Sequence, residues 1–202
     1  MFSSRAGFCA PAACANFLMG EARRCGDCDL CCTVLRVDAL GKLGGRRCRH
    51  QRELGAGCGI YATRPGICRD YRCLWLQGGL EPGDRPDRLG AVIDLSTREG
   101  PAYLGIRQLR EGTFDASPRL QEIAESFRGT LPVRITRAED AENPSRPYRV
   151  LLPDGLEQRV EGEWFEEIRH GRVMARQRMP MLERGFRRLR LAWQQWRGRG
   201  LT

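Results

Sequence analysis

Eight of the chain's ten cysteines fall within the 49 residues from Cys25 to Cys73: Cys25, Cys28, Cys31, Cys32, Cys48, Cys58, Cys68 and Cys73. The stretch is rich in Gly, Arg and Cys and poor in large aliphatic side chains. A segment of about 60 residues with so little to bury needs staples, either disulfides or a metal. The compartment separates the two. The leader-like run MFSSRAGFCAPAACANFL is interrupted by Pro11 and Asn16 and lacks a convincing small-residue cleavage site. Residues 1–19 therefore read as a leader or as an early start ahead of Met19, and the expectation is a cytoplasmic protein. There, dense cysteines hold metals or do redox work rather than form structural disulfides.

Thiolates are soft ligands, and four of them satisfy tetrahedral zinc or one iron–sulfur cubane. Eight suffice for two such sites. The Cys-x2-Cys spacing of Cys25 and Cys28 lets two sulfurs converge within one tight turn, and Gly26 supplies the backbone freedom for it. Cys31 extends the run to a triplet that is closer to an iron–sulfur pattern than to the paired knuckles of a zinc ribbon. Two features depart from the ferredoxin pattern: Cys32 follows at once, and Thr33 stands where proline is expected. Neighbours such as Cys31 and Cys32 do not comfortably reach one ion, so they serve different sites or only one of them binds. Iron, as a 4Fe–4S cluster, and zinc both remain open. Arg64, Arg69 and Arg72 surround the last two ligands and offset thiolate charge.

The blocks CGDCDLCC and CGIYATRPGICRDYRC resemble those of the CxxCxxCC cysteine-cluster family, also called YkgJ-like. The likeness rests on the eight cysteines and on Tyr61, Arg64-Pro65, Cys68-Arg69 and Cys73, and covers residues 25–75. It implies a zinc- or iron-chelating protein, described for some members as an iron–sulfur oxidoreductase. Flagellin lysine N-methylases are similar to this family across the same cluster, which implies a methylase-like, protein-modifying alternative. No glycine-rich S-adenosylmethionine loop accompanies the cysteines here.

Around the block at 20–77 the chain reads as α+β. A loop or linker at 78–90 leads into a small α+β part ending at 162. Its strands are expected at 90–95, 102–109 and 131–136, with a hairpin of 148–152 and 156–162 about Pro153-Asp154-Gly155. Ser117-Pro118 opens a helix that Gly129 ends. From Glu163 onward the expectation is two basic amphipathic helices divided by Pro180, near 163–177 and 181–197. Leu182, Phe186, Leu189, Trp193 and Trp196 fall on one face of the second. Docking of that stripe on the sheet is the favoured account, with the arginines as its solvated side.

The formal charge is +9, and residues 169–199 alone hold ten arginines against Glu183. Two sites of about −2 each would lower the net charge to about +5. Basic residues at one end suit nucleic acid or an anionic surface, the less favoured account. No apolar run approaches the about 20 residues needed to span a bilayer. His50 and His170 read as exposed, Asp27, Asp29 and Asp70 as turn formers, and Tyr61 and Tyr71 as packing groups. No phosphate loop, dinucleotide fingerprint or Ser/His/Asp arrangement is present. The expected protein binds metal and presents its cysteine nucleus to a protein partner or substrate. The alternatives are a cluster-dependent enzyme and a zinc-stabilised interaction module.

Overall fold

The computed structural model describes residues 23–53, 56–96, 102–138, 148–161 and 163–180, together with Leu182, Gly185, Phe186, Leu189 and Trp193. Residues 1–19, expected to be a leader or an early start and holding Cys9 and Cys14, lie outside the described residues.

A seven-stranded sheet organises the molecule. Its strands, in chain order and in spatial order alike, are β1 (Ala91–Ser96), β2 (Tyr103–Gln108), β3 (Val133–Arg137), β4 (Tyr148–Leu151), β5 (Leu156–Glu161), β6 (Trp164–Arg169) and β7 (Arg172–Arg178). Every neighbouring pair is antiparallel except β2 and β3. A parallel pair needs a crossover, which α4 (Thr113–Ala116) and α5 (Pro118–Arg128) supply. Helix α5 starts as its sequence dictates, with the Leu120 N–H donating to Ser117 Oγ at 3.2 Å and Pro118 in the first turn.

Alternation along β1 defines the layers. Ala91 and Ile93 face α5 and share a core with Leu104, Ile106, Leu120, Ile123, Val133 and Ile135. Val92 points the other way and packs against Leu30, Val34, Cys73 and Ala138. The cysteine-rich segment thus lies on the face of the sheet opposite α5, and β1 is covered on both sides. That segment has little regular structure: α1 (Leu30–Val34), α2 (Gly66–Asp70) and one-turn 3-10 helices at Asp38–Leu40 and Tyr61–Thr63.

The structure corrects three expectations. Residues 164–178 form the β6–β7 hairpin rather than a helix, because His170 and Gly171 both take left-handed backbone, φ 50° and 74°. That conformation suits a two-residue hairpin turn, so His170 sits at a turn and the sheet runs on to residue 178. The 78–90 segment is no linker: α3 (Pro86–Leu89) forms within it, Leu80 and Leu89 pack on the core, and Asp84 is buried. Asp84 accepts from Arg119 Nε and Nη2 on α5 at 2.8 and 2.7 Å, which fastens the segment to the helix layer. Finally, Leu182, Phe186 and Leu189 have helical backbone but are 79%, 71% and 68% exposed, so these positions of the stripe do not dock on the sheet. Trp196 lies outside the described residues. Among the described residues, no helix is long and apolar enough to cross a membrane.

Candidate metal centre

The cysteines are brought together by short turns rather than by long elements. Gly26, at φ 56°, lets the Cys25–Cys28 turn close with the Cys28 N–H donating to the Cys25 carbonyl at 2.8 Å. Cys31 and Cys32 occupy successive positions of α1, so their side chains leave the helix about 100° apart. Cys48 and Cys58 are joined by a backbone clasp. The Gln51 N–H donates to the Cys48 carbonyl at 3.0 Å, Gln51 bridges Cys58, and the Gly59 N–H donates to the His50 carbonyl at 2.7 Å. Next to it, Gly57 has φ 78°, and a Cβ there would stand 2.8 Å from the Gly26 carbonyl oxygen. Only glycine lets these two cysteine loops touch. Cys68 sits on α2, and Cys73 follows just before Leu74 bonds along β1, its N–H donating to the Ile93 carbonyl at 2.8 Å.

All eight cysteines line one cavity of about 620 Å³, and all eight are free thiols. Their protonation follows their surroundings. Burial pushes the Cys28 thiol up to about 11 and raises Cys68 and Cys73 as well. Cys31 donates to the Cys32 sulfur, which raises Cys31 and holds Cys32 down at about 7. Among the described residues, no group of three or more His, Cys, Asp or Glu side chains already stands in metal-coordinating geometry.

Apolar side chains such as Ile60, Trp75 and Leu76 make up much of the remaining wall, and a few polar groups are set among them. Asp94 on β1 is buried, and its Oδ2 accepts from the Tyr71 hydroxyl at 2.8 Å and from Arg107 Nη1 on β2. Its partner across the ladder is Gly105, where a Cβ would lie 2.9 Å from Asp94 Oδ1. Burial, and after it the neighbouring Asp94 carboxylate, raises the Tyr71 hydroxyl well above the usual phenol range. Lys42 is also buried, its Nζ donating to the carbonyls of Thr33, Leu35 and Leu43 around the end of α1. Arg64 stacks 3.9 Å over the Tyr61 ring, and its Nε is buried without a hydrogen-bond partner. Asp29 Oδ2, one residue from Cys28, is buried and unpartnered as well.

The other sequence-level candidates divide. His50 is half-buried in the cavity wall rather than exposed. Asp27 pairs with Arg85 at the surface, while Asp70 lines the cavity. Tyr61 is 46% exposed under Arg64, so it covers a cation rather than an apolar core. Sequence reasoning passed over Asp94, Arg107 and Lys42. The signal for Asp94 was present: a carboxylate inside the otherwise apolar strand GAVIDL has to be paired if that strand is central.

In chemical terms the donor set fits a soft metal. Eight sulfurs share one cavity with no disulfide among them, and a buried guanidinium nitrogen beside them lacks an acceptor. Comparison with known proteins finds no matching family model, no matching curated protein and no matching solved structure.

Proposed function

We propose that this chain is a metal-binding protein whose eight cysteines hold an iron–sulfur cluster, zinc or both, with the sheet presenting that centre to a protein partner or substrate. One observation carries the reading: eight free thiols contributed by five separate turns and helices line a single cavity. Structural thiols scattered through a core do not converge in this way, and surface redox dithiols come in pairs. The resemblance of residues 25–75 to the cysteine-cluster family points the same way. Metal binding would draw the sulfurs into coordinating geometry and displace the thiol protons, so the free energy of binding adds to that of folding. At the cavity, the chain's own residues supply soft donors, a buried Arg64 nitrogen to offset thiolate charge, and a wall of Tyr71, Asp94 and Arg107 that fixes the last ligand loop to the sheet.

Metal analysis of anaerobically purified full-length protein tests the proposal. Brown protein that absorbs near about 400 nm and bleaches with dithionite identifies an iron–sulfur cluster. Colourless protein carrying about two zinc ions identifies tetrathiolate zinc. Protein that carries neither metal, and takes up neither when supplied under reducing conditions, refutes the proposal.

A further inference from the structure

The surroundings of the eight sulfurs are not uniform, and the difference divides them. Cys28, Cys31 and Cys73 pack together in one apolar cluster with Leu30, Val34, Val92, Trp75 and Leu76. Cys25 joins them through the turn in which the Cys28 N–H donates to its carbonyl at 2.8 Å. Cys32 leaves α1 in another direction. On its side, Thr33 Oγ1 donates to Gln51 Oε1 at 3.2 Å, which fixes α1 to the Cys48–Cys58 clasp. Cys68, on α2 just beyond Arg64 and Pro65, is the sulfur that remains to complete a set with Cys32, Cys48 and Cys58 in the same cavity.

We propose that the cavity holds two separate four-thiolate centres, one of Cys25, Cys28, Cys31 and Cys73 and one of Cys32, Cys48, Cys58 and Cys68, and that Arg64 serves the second alone. This rests on the metal-binding reading and adds the ligand partition to it. The Cys31-Cys32 pair, awkward at a single ion, becomes the hinge between the two centres, each helical position serving its own side.

The centres differ in electrostatics. Four thiolates around a divalent ion leave a charge of about −2. The first centre meets that charge in an apolar pocket against the sheet. The second has Arg64, which lies four residues before Cys68 in the cavity wall and presents a buried, unpartnered Nε–H. Donation from that nitrogen to a metal-bound sulfur gives the orphan an acceptor and offsets part of the thiolate charge. Arg64 is therefore a positioning residue of the second centre, not a ligand.

Cobalt(II) titration of the full chain, freed of metal under reducing anaerobic conditions, tests the division through the thiolate-to-cobalt absorption. Two equivalents are expected for the unchanged chain. Cys28→Ser and Cys48→Ser should each lose one. The double variant Cys28→Ser/Cys73→Ser, confined to one centre, should still bind one equivalent, whereas Cys28→Ser/Cys48→Ser should bind none tightly. A within-centre pair that loses both, or a cross pair that keeps one, overturns the partition while leaving metal binding intact. If the unchanged chain takes up no cobalt, the partition falls, whereas the metal reading falls only if the iron and zinc analysis is negative as well. Arg64→Gln spares every ligand and so covers the case in which serine variants misfold. It should weaken one of the two equivalents by about 10- to 100-fold, as loss of an outer hydrogen bond to a metal ligand does. The weakened equivalent should be the one missing from Cys48→Ser. Equal weakening of both, or of neither, removes Arg64 from the second centre.

Discussion

Replacing Asp94 tests how the cysteine-rich layer is fastened to the sheet. The Asp94 and Arg107 side chains are 9% and 16% exposed, and Asp94 Oδ2 also accepts from the Tyr71 hydroxyl at 2.8 Å. Asp94→Ala leaves a buried guanidinium without its counter-ion and a buried phenol without its acceptor. Breaking a buried pair from one side costs about 3–5 kcal/mol. Tyr71→Phe removes a single hydrogen bond to a charged group, about 1.5–3 kcal/mol, and leaves the ion pair in place. At about 2–4 °C per kcal/mol for a chain of this size, Asp94→Ala should lower Tm by about 6–20 °C and Tyr71→Phe by less. The third variant is the most discriminating. Asp94→Val with Arg107→Met removes both charges, and should cost less than Asp94→Val alone because no uncompensated ion remains. Thermal and urea unfolding followed by circular dichroism, at fixed metal content, measure all four. If the double variant is less stable than Asp94→Val, or if Asp94→Ala costs no more than Tyr71→Phe, the buried-pair reasoning is wrong.

Gly105→Ala places a Cβ 2.9 Å from Asp94 Oδ1 and should destabilise the chain in the same direction as Asp94→Ala, which the same unfolding assay reads. Leu120→Ala, at a position of 0% exposure in the core under α5, should cost about 2–5 kcal/mol, whereas Leu182→Ala at 79% exposure should cost close to nothing; equal values in denaturant melts would contradict the layering. The Arg119 guanidinium holds the Asp84 carboxyl below the usual carboxylate range. A lowered folded value means that its stabilisation is complete above the unfolded carboxylate pKa, about 3.9, and is lost as pH falls through the lowered one. Stability measured against pH should therefore show Asp84→Asn weakest relative to the unchanged chain near neutrality and level with it in strong acid; a gap independent of pH would refute the linkage.

The sheet's first five strands and α5 were legible because each is local and regular. GAVIDL and AYLGIRQL are apolar runs bounded by turn residues, Ser117-Pro118 is an unambiguous helix start, and Pro153-Asp154-Gly155 closes a hairpin. The β6–β7 hairpin was not legible, for two reasons. Its turn uses His170 where asparagine or aspartate is the usual signal, and β7 is exposed at every position but Ala175, so it shows no alternation. Arginines on both sides of such a strand mimic a solvated helix. At the site, the sequence named the eight sulfurs, because cysteine has so few other uses at that density. It did not name Asp94 and Arg107, which lie 13 residues apart and meet only once the β1–β2 register places Gly105 beside the carboxylate. Nor did it offer the proposed division of the sulfurs, since that depends on which way α1 turns Cys31 and Cys32.

The two layers stand on different physical footings. Among the described residues, the α5 side has an apolar core of twelve buried residues, drawn almost wholly from the sheet, α4 and α5. The cysteine side has a cluster of five, and two of these, Val92 and Ala138, belong to the sheet or its edge. What holds the cysteine side besides those contacts is polar and directional: the Asp94 junction, Lys42 on three carbonyls, and Arg23 donating to the carbonyls of Trp75 and Leu80 at 2.9 and 2.7 Å. Such bonds are worth about 0.5–1.5 kcal/mol each in net terms and do not replace a core. A layer built this way leans on the sheet for its packing, and under the proposed function the metal would complete its interior. Gly57 fits the same logic, because a Cβ there would stand 2.8 Å from the Gly26 carbonyl oxygen and hold the two cysteine loops apart, while Gly26 contributes the left-handed turn.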